Sequence, residues 1–202
     1  MNKVASSKMI EKRIEESEPG SVFITTDFVD KASSYDAANE ALLRLNKEGK
    51  VRRVLRGIYE KPSYNTFLQE HVAPSPDKVA HALARNFGWT IVPSGNTALN
   101  VLGLSTQVPA TWEYVSDGSY KRYKVGNVTI KFKHTANKEI SNLSYMTALT
   151  IRALKAMGKD NVDENVIQAL TNKLTDKEKD TMLSEAKYTT AWVYDVIKRV
   201  SK

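Results

Sequence analysis

The chain has 202 residues, 41% of them apolar, which suits one large or two small packed domains and argues against global disorder. It contains no cysteine, so disulfides, thiol nucleophiles and thiolate zinc sites are excluded, and a reducing, cytoplasmic setting is expected. Thirty basic and 23 acidic side chains leave a net charge of +7; no apolar run approaches the ~18 residues of a membrane span and the first residues lack a signal-peptide core, so no membrane association is expected.

Met9, Ile10 and Ile14 share one face of a first helix that ends before Pro19-Gly20. Val22-Phe23-Ile24 reads as a short strand. Thr25 is placed to cap a second helix over 26–32, with Phe28 and Val29 turned inward. Ser33-Ser34 breaks the chain and caps a third helix, Tyr35 to Lys47, whose Ala38, Ala41, Leu42 and Leu45 recur on one face. Gly49 stops it. Val51 to Glu60 then reads as two β segments turning near Arg56-Gly57. Helix, helix, helix, hairpin is the order of a winged helix-turn-helix, expected over residues 1–70.

Ala73-Pro74-Ser75-Pro76 resists helix and marks a connector. A helix follows from Asp77 to Phe87, then a strand over 89–92 and a small helix from Asn96 to Leu102. Residues 111–134 alternate and are rich in β-formers, with turns at Asp117-Gly118 and Gly126-Asn127, so a small antiparallel sheet is expected. Three helices close the chain, near 144–157, 163–173 and 176–200. The fold class is therefore α+β: a winged helix followed by a mixed domain, 71–202, of small sheet and several helices.

Positive charge is clustered. From Arg44 to Lys61 there are seven basic residues (Arg44, Lys47, Lys50, Arg52, Arg53, Arg56, Lys61) against two acids. From Gly118 to Lys138 there are six (Lys121, Arg122, Lys124, Lys131, Lys133, Lys138) and no acid. Such clusters attract polyanions. In a helix-turn-helix the start of the recognition helix meets base edges while flanking groups fix register on phosphates. That assigns Ser34, Tyr35, Asp36 and Asn39 to the groove. Asn39 can pair with adenine, and Arg44 can reach guanine or, with Lys47, a phosphate. Asp36 either accepts from cytosine or favours the positive end of the helix. Arg52, Arg53 and Arg56 would line the wing. The run Val51-Arg52-Arg53-Val54 cannot point both arginines outward in a regular strand, so one is expected to be partly packed.

In the second cluster, Val128, Ile130, Phe132 and His134 alternate with Thr129, Lys131 and Lys133. With Lys121, Arg122 and Lys124 on the facing strand, this predicts a one-sided basic sheet. It would extend a nucleic-acid surface, dock a partner or simply guard a sheet edge.

Signals for chemistry are weak. His71, His81 and His134 are far apart, with no carboxylate at a ligand spacing, so no metal is expected. No Walker or dinucleotide glycine pattern occurs, and no cofactor is expected. Ser94-Gly95-Asn96-Thr97 comes nearest to an anion-binding helix start, though helix capping explains it more simply. Asp160, Asp163 and Glu164 are read as helix-end residues.

The stretches Gly49-Lys-Val-Arg-Arg-Val-Leu-Arg-Gly-Ile-Tyr59, Asp77-Lys-Val-Ala-His-Ala-Leu-Ala-Arg85 and Thr90-Ile-Val-Pro-Ser-Gly-Asn-Thr-Ala-Leu-Asn-Val-Leu-Gly-Leu104 resemble the AbiEi-like antitoxins. The match is best to a sub-family of unassigned function within that group. The resemblance implies a non-catalytic autorepressor from a type IV toxin–antitoxin, or abortive-infection, system. Its winged helix would bind repeats in double-stranded operator DNA upstream of its own gene. Its functional partner would be a nucleotidyltransferase-like toxin, opposed without a stable complex. By the same resemblance the wing positions are Arg52, Arg53 and Arg56. Two rivals remain at this point: a protein-interaction module docking an acidic partner, and an enzyme acting on nucleic acid through carboxylates gathered by folding.

Overall fold

A computed structural model describes residues 3–135, 140 and 142–202, with side chains from Ser7 onward; Lys138 of the second basic cluster lies outside the described residues. The chain is α+β and divides into two compact units, Met1–Gly88 and Trp89–Lys202. The division falls at Gly88, later than the proline-rich connector at 73–76. The helix after that connector packs on the first β-strand and so belongs with the first unit.

In the first unit, α1 (Lys3–Glu16) leads to β1 (Val22–Ile24), then α2 (Tyr35–Lys47), β2 (Arg52–Leu55) and β3 (Ile58–Glu60). The three strands form an antiparallel sheet in the order β1-β3-β2. Ile10 and Ile14 of α1 meet Ala38, Ala41, Leu42 and Leu45 of α2, with Phe23, Phe28 and Tyr59 completing the core. The expected helix over 26–32 is instead a single 3-10 turn, Thr25–Phe28. Asp27 closes that turn by accepting from the Ile24 amide at 2.9 Å, and Val29, expected inward, is exposed. α2 begins as expected: Ser34 Oγ accepts from the Ala37 amide.

A short hairpin absent from the sequence reading follows, β4 (Tyr64–Asn65) and β5 (Glu70–His71). Then comes α3 (Pro76–Phe87), capped by Ser75 with proline in its first turn and stopped by Gly88 at φ 68°. Arg85 of α3 donates to the Val22 carbonyl and to Asp27 Oδ2, which pins the helix to β1.

In the second unit, β6 (Ile91–Pro93), β7 (Thr111–Ser116), β8 (Lys121–Val125) and β9 (Val128–His134) form one sheet in the order β6-β7-β9-β8. The sheet is mixed rather than purely antiparallel, because β9 runs parallel to β7. The helices are α4 (Asn96–Leu102), α5 (Tyr145–Met157), α6 (Glu164–Lys173), α7 (Asp176–Glu185) and α8 (Ala191–Val200). The long final helix expected over 176–200 is broken. A 3-10 turn, Ala186–Tyr188, and Thr189-Thr190 separate α7 from α8. Val92 and Val115 of the sheet join Leu149, Leu154, Leu170, Met182 and Ile197 in one core. Asp163 caps α6 and Thr175 caps α7 through a box with Glu178.

Candidate nucleic-acid interface

The outward face of α2 carries Tyr35, Asp36, Glu40, Leu43, Arg44 and Lys47, all exposed, with Asn39 half-buried. Periodicity turns this face outward because the small and apolar positions of the same helix are taken up by α1 and the sheet. Beside it lies β2. The tie is Asn46, a residue sequence reasoning passed over: its Oδ1 accepts from the Arg53 backbone amide at 2.9 Å. Tyr59 adds a second link. Burial pushes its phenol up, Arg53 pulls it back, and Tyr35 pushes it up further, so both residues lie within electrostatic reach of one hydroxyl.

The seven basic residues of this region do not act alike. Arg52, expected on the wing, is turned into the protein: Nε donates to Glu60 Oε2 at 2.9 Å, and a terminal nitrogen donates to the Val72 carbonyl at 2.8 Å. Glu60 is buried, so Arg52 supplies the countercharge a buried carboxylate needs. Arg44, though exposed, is bound to Ser7 Oγ of α1 and pairs with Glu48 at 3.3 Å. Lys50 pairs with Glu11, and Lys61 donates to the Glu15 and Ser17 carbonyls, both at 2.7 Å. What faces solvent is Arg53, with one long bond to the Leu55 carbonyl, and Lys47 and Arg56. Lys47 and Arg56 make no hydrogen bond or ion pair among the described residues. Alternation along β2 packs one of the paired arginines, and the packed one is Arg52.

The second basic surface is also smaller than expected. Register places Arg122, Lys124, Lys131 and Lys133 on one side of the β8–β9 pair, but Lys121 on the other, opposite Phe132. There Lys121 Nζ lies 5.6 Å from the centre of the Trp89 ring. Glu113 of β7 sits among the lysines, 3.2 Å from Lys131 and 2.7 Å from Lys133. Burial pushes the Glu113 carboxyl up, but the two lysines outweigh it and hold it below its ordinary value. Arg122 and Lys124 remain exposed on the edge strand.

A cleft of about 610 Å³ in the second unit is lined in part by Arg152, Lys155, Glu185 and Tyr188. Its buried-side carboxylate is already committed. Glu185 accepts from the Ser144 amide at 2.9 Å and from Ser144 Oγ at 2.8 Å, which anchors the start of α5. Among the described residues no group of three or more His, Asp or Glu side chains is gathered as a metal ion would require. No helix among them is long and apolar enough to cross a membrane.

Residues 9–183 match a family described as a family of unknown function, DUF6088, and the chain belongs to that family. No curated protein matches the chain. A crystal structure of the RV2827C protein from Mycobacterium tuberculosis is similar at a TM-score of 0.46 and 11% identity, covering 98% of this chain and 76% of that one.

Proposed function

We propose that the first unit binds duplex DNA as a winged helix-turn-helix and that the protein is a transcriptional autorepressor serving as antitoxin of a type IV system. The observation that carries the DNA-binding reading is the Asn46 bond to the Arg53 amide, which holds an arginine-bearing ribbon beside the open face of α2. On this reading α2 enters the major groove, with Tyr35, Asp36 and Asn39 towards base edges and Ser34 at the helix start. Lys47, Arg53 and Arg56 lie on phosphates and release counterions. The 3-10 turn Thr25–Phe28 takes the place of the first helix of the motif. Arg52 and Arg44 support the frame instead of touching DNA. The antitoxin role, the repeats upstream of the gene and the nucleotidyltransferase-like toxin rest on the resemblance to AbiEi-like antitoxins.

The test is a gel shift on the DNA upstream of the protein's own gene, repeated over a range of salt. Retardation that weakens steeply with salt, and that an acidic polypeptide does not compete away, supports the reading. Absence of retardation at moderate salt overturns it and favours a module that docks an acidic protein.

A further inference from the structure

Among the described residues, the hairpin β4–β5 carries the most exposed apolar side chains of the first unit: Phe67 is 91% exposed and Leu68 58%. They do not sit on loose chain. Asn65 Oδ1 accepts from the amides of both, at 2.9 and 3.1 Å, and Tyr64 packs edge-on against His71 with ring centres 5.3 Å apart. Gln69 closes the turn in the left-handed region at φ 52°. At the root, Val72 accepts from Arg52, the residue next to Arg53. The guanidinium that neutralises Glu60 therefore also moors this finger to the edge strand of the ribbon.

An ordered apolar tip facing water calls for an occupant. A second copy of the chain brings the same net charge of +7. A phenylalanine, a leucine and a tyrosine also offer roughly a few hundred Å², short of the ~800 Å² per partner of a stable interface. Duplex DNA meets neither objection. Its charge complements the net +7 of the chain, and one or two apolar side chains suffice to part a base step and kink the helix.

We propose that Phe67 and Leu68 form an apolar wedge that partly unstacks a base step of duplex DNA lying along the β2–β3 ribbon. The wedge favours flexible pyrimidine–purine steps, which open most easily. This inference rests on the DNA-binding reading of the first unit.

The test uses the full chain, a short mixed-sequence duplex with a fluorescent adenine analogue at its TA and CA steps, and the double variant Phe67→Ser, Leu68→Ser. Because both side chains are exposed, the variant keeps the fold, which circular dichroism checks. The parent is expected to brighten the analogue on binding. The variant is expected to bind about tenfold more weakly without brightening it, while Phe67→Trp keeps the signal. If the parent and the double variant bind alike and neither brightens the analogue, the wedge is overturned and DNA binding stands. If the parent does not bind the duplex at all, the DNA-binding reading fails and the wedge with it. If the double variant instead changes the sedimentation of the protein alone, the tip belongs to a contact between copies and the wedge is overturned.

Discussion

Arg52 and Glu60 stand opposite each other on β2 and β3, and the carboxylate, 1% exposed, accepts two hydrogen bonds from the guanidinium. Removing the arginine strands a buried charge. Arg52→Ala is expected to cost about 2 kcal/mol, because Arg52 itself is partly open to water and solvent relieves some of the penalty. Arg53→Ala and Arg56→Ala, on the exposed side of the ribbon, should each stay within about 0.5 kcal/mol of the parent. Urea denaturation of the three variants makes the comparison.

The same contrast inverts for DNA. Arg53→Ala with Arg56→Ala is expected to weaken binding on every sequence and to flatten the salt dependence by about two phosphate contacts. Asn39→Ala should instead relax choice at one base position, by about 1–3 kcal/mol of discrimination. Titrations of operator and scrambled duplexes over a salt series separate the two effects.

Gly118 leaves no room for a side chain. A methyl group there would overlap the Trp89 ring at Cε2, and that ring also meets Phe132 edge-on. Gly118→Ala should cost about 2 kcal/mol by overpacking. It should also shift the tryptophan emission, read alongside thermal unfolding.

Acid should destabilise the second unit. Burial raises the Glu113 carboxyl, but Lys133 and Lys131 lower it by more, so it binds a proton less readily folded than unfolded. Burial also opposes ionisation of Glu185, and Thr147 and Ser144 again prevail. Such depressed carboxyls contribute stability that is complete above the ordinary value of 4.5 and drains away as pH falls through the folded value. Lys133→Met should therefore lower stability at neutral pH, and its deficit against the parent should shrink as pH falls through the folded value of Glu113. A circular dichroism titration of both proteins reads this.

Local signals in the sequence reached the structure well. Ser34 and Asp163 cap helices because their short oxygens sit where free amides begin, and Gly49 ends a helix at φ 74°. The choice between Arg52 and Arg53 was out of reach, since it depends on Glu60 across the hairpin and on a carbonyl at Val72. Residues 26–32 read as helix, but Asp27 bonds back to Ile24 and bridges to Arg85 on α3, which shortens the helix to one turn. Glu113 went unnoticed because parallel pairing with β9, not sequence proximity, brings Lys131 and Lys133 to it.

That parallel pairing has a consequence for how the second unit assembles. Thr111 aligns with Thr129, so β7 waits for a neighbour that leaves the ribosome only after β8 has been made. The β8–β9 ribbon can zip at once around Gly126, whose φ is 56°, and it then docks as a preformed piece in the slower, entropically dearer step. The tempo of folding in this unit is thus expected to be set by that docking on β7 rather than by the bend at Gly126.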